Sequence, residues 1–185
     1  MADLAQACSI SKAALYHYFA SKEAILFEAL DVYTRQLQTL VLAVVGEPMP
    51  ERDQARARAA LGDLVRALLH RYADSHDFHV SLLNDVKFLG EAQRAAIRAQ
   101  ERTVVDSITA LIGQAFPAQA ASANRSAVTM SLLGMLNFSF AWWKPDGSLD
   151  ADGLADLVID LWFHGLASPA GSAACRGASA MASVD

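Results

Sequence analysis

The sequence predicts an all-α protein, and three observations lead to this class. Apolar residues recur every three to four positions along nearly the whole chain. No run of alternating β-branched residues is long enough to indicate a sheet. The 185 residues are 54% hydrophobic, which is enough to bury a large core without disulfides or a structural metal.

The beginning of the chain has the spacing of a helix-turn-helix. Residues 2–8 are predicted to form a short helix, followed by a tight turn at Ser9. Ser11 then caps a second short helix that runs to about Phe19. Because Leu15 and Phe19 are four positions apart, both face inward, and the opposite side of this helix is left free for a partner.

Longer amphipathic helices follow. Ser21 caps a connector helix that Gly46 ends. A segment rich in His, Phe and Asp, from Ser75 to Gly90, interrupts the helical pattern and is predicted to form a pocket wall. Pro117 ends the helix that precedes it. Three further helices are predicted, at residues 51–73, 91–116 and 151–166.

The segment from Ser126 to Trp143 contains no charged residue. Its length approaches that of a membrane span, but it includes five polar residues, which favour a buried helix and no membrane. A helix that is apolar on every side needs a core beneath it and a partner above it. We therefore predict a homodimer that pairs through the last two helices.

Charge and cysteine usage limit the function classes. The net charge of −5 gives the whole molecule no attraction to nucleic acid, so DNA binding would depend on a few local groups. Cys8 and Cys175 lie near opposite ends of the chain, and no secretory signal is apparent, which favours a cytoplasmic protein. The Gly-, Ala- and Ser-rich residues 168–185 are predicted to form a disordered tail.

Catalysis and metal binding are disfavoured. No nucleophile, base and oxyanion set can be assembled from the sequence, and there is no Gly-rich phosphate loop. His76 and His79 have a spacing that would suit zinc if Asp74 or Asp85 turned inward, but structural roles are favoured for them. We expect no enzyme activity, no cofactor and no metal.

The stretch MADLAQACSISKAALYHYFASKEAILFEAL resembles the DNA-binding signature of the TetR family of bacterial transcription regulators. The Leu-Tyr-x-x-Phe and Ser-Lys-Glu elements are both in register. The resemblance implies a second helix in the major groove of an operator in double-stranded DNA. The alternative for the aromatic residues is packing or a solvated cluster. The residues that the resemblance places at the DNA are Ser11, Lys12, Ala13, Tyr16, His17, Tyr18 and Lys22.

The chain departs from the family pattern in two ways. The family has a whole helix before this point, so we expect the chain to lack the first helix, with a looser N-terminus and weaker operator affinity. Ser9 stands where the family usually has Gly. A positive φ there would cost a residue with a side chain about 1 kcal/mol.

Two later stretches, LLNDVKFLGEAQRAAI and NFSFAWWKPDGSLDADGLADLVIDLWFHGL, resemble the TetR branch that senses acyl-CoA thioesters, including regulators of phenylacetate degradation. An acyl-CoA pocket needs an apolar slot and cations for the phosphates. The arginines could instead form a solvated helix face, and the histidines could be structural. The candidate effector residues are Phe78, Leu82, Leu83, Phe88 and Trp142 for the slot, Arg94 and Arg98 (with Arg102 on the same stripe) for the phosphates, and His70 and His79 nearby.

The resemblance implies a ligand-responsive repressor in which the effector changes the tilt of the connector from Ser21 to Val45. Residues 1–30 would be the incomplete DNA-binding region, and residues 31–167 the effector-binding and dimerisation domain. An effector such as phenylacetyl-CoA is expected. The alternative is a dimeric small-molecule-binding protein of the same fold with lost or weak DNA binding.

Overall fold

The computed structural model describes residues 1–46, 53–120 and 125–167. These residues form helices and contain no strand, which confirms the all-α class. The predicted tail at residues 168–185, with Cys175, lies outside the described residues. The helices are α1 (Ala2–Ala7), α2 (Lys12–Tyr18), α3 (Lys22–Val45), α4 (Gln54–Asp74), α5 (His76–Asp85), α6 (Glu91–Ala115), α7 (Pro117–Ala120), α8 (Arg125–Asn137) and α9 (Ala151–Ala167).

Short-range hydrogen bonds determine where the helices begin in the N-terminal unit, which we define as residues 1–20, and immediately after it. The Ser11 hydroxyl accepts the N–H of Ala14 at 3.0 Å, and the Ser21 hydroxyl accepts the N–H of Ala24 at 3.1 Å, so both predicted caps are confirmed. Ser9 has a φ of 54°, the positive value expected in this turn. The unit has a small core of its own, formed by Met1, Ala5 and Leu15 with Phe19 and Ile25 packed against it.

Helix α3 joins this unit to the rest of the chain. Its first turns carry Ile25 into the small core, whereas Leu30, Leu37 and Val41 are buried in the main core. The helix packs along α6 and α4 and ends at Gly46, whose φ of 63° suits a residue without a side chain. It therefore crosses the predicted boundary at residue 30 without a break.

The main core lies between α3, α4, α6, α8 and α9. Helix α4 packs against both α6 and α9, and the indole N–H of Trp162 on α9 donates to the hydroxyl of Ser131 on α8 at 3.0 Å. No helix among the described residues combines the length and hydropathy needed to cross a membrane. The side chains with no exposed surface include Leu30, Val41, Leu61, Val65, Leu69, Ile97, Leu111, Ile112 and Leu136.

Two segments differ from the sequence prediction. The interrupted region is α5 followed by a 3-10 turn at Val86–Phe88, because Ser75 ends α4 and a new helix starts immediately after it. Helix α8 ends at Asn137, and Phe138–Ala141 tighten into a 3-10 turn, so the uncharged segment is not one continuous α-helix.

Candidate DNA-binding surface and effector cavity

The outer face of α2 exposes the residues predicted to meet DNA. Tyr16 and Tyr18 are 48% and 76% exposed, and the Lys12 ammonium lies 5.9 Å from the centroid of the Tyr16 ring. Leu15 is buried and Phe19 is partly buried on the opposite face, as their spacing predicts. Hydroxyls and ammonium groups presented in this way match phosphate oxygens and base edges. The remaining predicted contacts are exposed as well: Ser11, Ala13, His17 and Lys22.

A cavity of about 90 Å³ lies between α3, α4, α5, α6 and α8. Most of its wall is aliphatic. Of the residues predicted for the effector, Leu82 and Leu83 line it. The described residues that line it are Thr34, Leu37, Tyr72, Leu82, Leu83, Glu101, Val104, Val105, Leu133 and Asn137.

Three of the four polar side chains in this wall, those of Thr34, Tyr72 and Asn137, form hydrogen bonds. The Thr34 hydroxyl donates to the carbonyl of Leu30 at 2.6 Å. The Tyr72 hydroxyl donates to the amide oxygen of Asn137 at 3.0 Å. Glu101 differs, because burial raises the pKa of its carboxyl group while the charge of Arg98 acts in the opposite direction. The cavity therefore offers an aliphatic slot with a small polar end.

His79, a predicted effector residue, lies behind this wall. Its ring stacks on Tyr72 with centroids 3.6 Å apart, and the Tyr33 ring lies 6.2 Å away, edge to face. Burial, followed by the charge of His76, lowers the pKa of His79 to about 4, so the ring is neutral. Burial also raises the pKa of Tyr33. Neither the two ring nitrogens of His79 nor the Tyr33 hydroxyl has a hydrogen-bond partner among the described residues.

The predicted arginines lie on a separate face of α6. Arg94, Arg98 and Arg102 line an open groove of about 400 Å³, together with Glu91 and Ala95. Three guanidinium groups along one groove match the bidentate geometry of phosphate oxygens. Glu101, which lines the cavity, lies one turn after Arg98, so the groove and the cavity are adjacent along the same helix.

The other predicted effector residues are not brought to the cavity. The His70 ring nitrogen lies 3.0 Å from a carboxylate oxygen of Asp152, on the surface. Phe78 stacks on Tyr33, with ring centroids 6.1 Å apart. Phe88 is 64% exposed. Trp142 is 56% exposed and lines a surface groove that also contains His76 and Lys144.

Sequence reasoning missed Thr34, Tyr72, Glu101 and Asn137. A signal for two of them exists: Thr34 lies on the apolar face of α3, and Asn137 is a polar residue in the uncharged segment. Tyr72 follows the pattern of an ordinary core residue. Glu101 is hard to recognise because it stands between Arg98 and Arg102, in a stretch of α6 whose charges suggest a solvated face.

Two contacts join α6 and the residue before it to α3. The Glu23 carboxylate accepts the N–H of Gly90, immediately before α6, at 2.7 Å. The Gln100 amide donates to Asp31 at 2.6 Å. A hydrogen bond from Arg35, with a further one from Gln100, lowers the pKa of Asp31 despite its partial burial. Gln100 is adjacent to Glu101, so a change at the cavity wall lies close to a contact with α3.

Comparison with known proteins agrees with this arrangement. Residues 1–29 match the model of bacterial regulatory proteins of the tetR family, and residues 54–166 match the model of the tetracyclin repressor-like C-terminal domain. A TetR-family transcriptional regulator from Bordetella parapertussis is 33% identical; the match covers 87% of this chain and 81% of that one, with a TM-score of 0.78.

Two further solved structures are similar. PfmR, a TetR-family transcriptional regulator from Thermus thermophilus, is 28% identical, with 89% of this chain and 87% of that one covered and a TM-score of 0.77. AibR, solved in complex with isovaleryl coenzyme A and operator DNA, is 25% identical, with 86% and 84% covered and a TM-score of 0.71. No curated protein matches the chain. From its two matching models and its overall likeness to these regulators, the chain belongs to the TetR family of bacterial transcription regulators.

Proposed function

We propose that the protein is a DNA-binding transcriptional repressor that responds to an acyl-CoA thioester. The observation that carries this proposal is the adjacency of two complementary features on α6. Glu101, Val104 and Val105 line a partly open, largely aliphatic cavity, and Arg94 and Arg98 line a neighbouring cationic groove. An acyl group suits the cavity, and the phosphates of coenzyme A suit the groove.

The size of the cavity favours a short acyl group. It measures about 90 Å³, whereas a cavity of ~150 Å³ is the size known to hold benzene. A branched group of a few carbons therefore fits this conformation better than the phenylacetyl group expected from the sequence. AibR, which was solved with isovaleryl coenzyme A, supports an effector of this kind.

The protein acts on DNA as a homodimer in this proposal. Apolar side chains on α8, on the 3-10 turn after it and on α9 are exposed to solvent, and a Cβ at Gly134 would meet nothing within 4 Å, so no described residue of the same subunit covers them. Two copies paired here would present two α2 helices to successive half-sites. The exposed side chains are Met130, Met135, Phe138, Leu157 and Leu161.

The effector acts through α3, which carries Thr34 and Leu37 in the cavity wall and whose first turn follows the N-terminal unit. A ligand shifts an equilibrium only if it binds two conformations with different affinity. Filling the cavity favours a tilt of α3 that the operator-bound dimer does not adopt. The result is release of DNA.

Thermal unfolding with a ligand panel tests this proposal. The panel contains isovaleryl-CoA, phenylacetyl-CoA and free CoA. At a hundredfold excess over Kd, a thioester should stabilise the protein by ~2.7 kcal/mol, which is roughly 5 to 10 °C for a chain of this size. Arg98→Gln should weaken thioester binding about tenfold, because a charged hydrogen bond is lost. Arg56→Gln, an exposed arginine on α4, is the matched control. No shift with any thioester would refute the effector class.

The alternative is a ligand-binding dimer that has lost DNA binding, and the overall negative charge favours it. Selection from a pool of random duplexes distinguishes the two functions. Repression predicts enrichment of a two-half-site sequence. Lys22→Ala should then reduce the slope of log affinity against log salt concentration by about one. A pool that stays random would favour the alternative.

A further inference from the structure

Glu101 is the one charged side chain among the described residues that line the aliphatic cavity, where it lies beside Val104 and Leu133. No described residue donates a hydrogen bond to its carboxyl group or forms an ion pair with it at contact distance. The side chain is partly buried, so water can hydrogen-bond to this carboxyl group. A ligand that fills the cavity displaces that water and meets the carboxyl group directly.

The charges around this carboxyl group determine which ligands it accepts. No basic side chain lines the cavity among the described residues, and the cation that influences the pKa of Glu101 is Arg98, in the external groove. The other helices contribute Thr34, Tyr72, leucines and Asn137, all of them uncharged. A carboxylate ligand would thus meet a second carboxyl group with no cation between them.

Two carboxyl groups that share one apolar site cannot both be ionised without a large penalty. A neutral ligand escapes this penalty, and an amide N–H or a hydroxyl on it can donate to Glu101 in either protonation state. A thioester is neutral at its acyl end, whereas the acid from which it is made is an anion at neutral pH.

We infer that Glu101 is a specificity-determining residue that admits neutral acyl derivatives and rejects the corresponding free carboxylic acid. The inference rests on the proposed acyl-thioester function. With this specificity the regulator responds to the thioester and does not respond to the acid that thioester hydrolysis releases.

The test compares two ligands of nearly equal size, isovaleramide and isovalerate, by calorimetry at pH 7.5 with isovaleryl-CoA as reference. The wild type should bind the amide at least about tenfold more tightly than the acid, the factor for one pKa unit of like-charge repulsion. Glu101→Gln should bring the acid to within about threefold of the amide. Glu91→Gln removes a carboxylate from the arginine groove on the same helix and should leave the amide-to-acid ratio unchanged.

The outcomes separate the two proposals. Thioester binding with an amide-to-acid ratio that Glu101→Gln does not alter overturns the role of Glu101 and leaves the proposed function standing. Binding of neither the thioester nor the amide overturns the proposed function itself. Equal binding of acid and amide by the wild type overturns the role of Glu101 without any variant. Glu101→Met, which removes the carboxyl group with an apolar side chain, replaces the Gln variant if that one fails to fold.

Discussion

The N-terminal unit and the remainder of the described chain differ in how much core each one has. The N-terminal unit buries Met1, Ala5 and Leu15, whereas the main core extends through five helices. We therefore expect stability to be unequal along the chain, with the helix-turn-helix in the part that has the smaller core. The unit depends on α3, which supplies Ile25 to its core, for much of its order.

Matched core truncations should expose this difference most strongly. Leu69→Ala removes a side chain with no exposed surface from the main core, and it should lower the free energy of unfolding by about 2 to 5 kcal/mol. Leu15→Ala should leave the main unfolding transition near the wild-type value and remove hydrogen-exchange protection from residues 1–20. Denaturant unfolding and exchange mass spectrometry measure the two effects. An equal shift of the main transition in both variants would show one cooperative unit instead.

The buried His79 makes the stability of the main core depend on pH. Its pKa is about 4 in the folded protein, below the ordinary value of 6.5. The unfolded chain therefore takes up a proton as the pH falls through 6.5, while the folded protein does not, so stability is full above this range and lost towards pH 4. Between pH 7.5 and pH 5 the loss should be about 2 kcal/mol.

Variants of two histidines check this assignment by urea unfolding at both pH values. His79→Phe should flatten the difference between them. His17→Asn, on the exposed face of α2, should leave it as in the wild type. A wild-type stability that does not fall between pH 7.5 and pH 5 would contradict the neutral, buried state of His79.

The two regions also differ in how far sequence alone predicted them. Ser11 and Ser21 cap their helices through contacts three residues away, so local sequence was sufficient to place α2 and α3. The cavity combines residues from five helices, and helical periodicity does not tell which helix covers which face. Leu82 and Leu83 reach the cavity, while Phe88, only a few residues later, lies in the exposed 3-10 turn.

The contact between Glu23 and Gly90 should link the two regions by a smaller amount. Glu23→Ala removes a charged acceptor from the Gly90 N–H, and it should destabilise the junction by about 1.5 kcal/mol. Acyl-CoA affinity in the isolated protein should stay unchanged, while DNA release by the effector weakens. Anisotropy of a selected DNA duplex, titrated with isovaleryl-CoA, measures the coupling. Glu28→Ala, an exposed acid on the same helix, is the control. Unchanged coupling in Glu23→Ala would remove this contact from the mechanism.

Ser9 offers the smallest and most local change, a gain in stability. Its φ of 54° is unfavourable for a residue with a side chain. Ser9→Gly should stabilise the turn by up to about 0.5 kcal/mol, which is the relief of strain less the entropy that Gly adds to the unfolded chain. Ala13→Gly, inside α2, should act in the opposite direction by about 1 kcal/mol. Exchange protection of residues 1–20 reports both. A loss of exchange protection in Ser9→Gly, like that expected for Ala13→Gly, would show that the turn is not strained. Any low stability of the N-terminal unit would then be due to its small core alone.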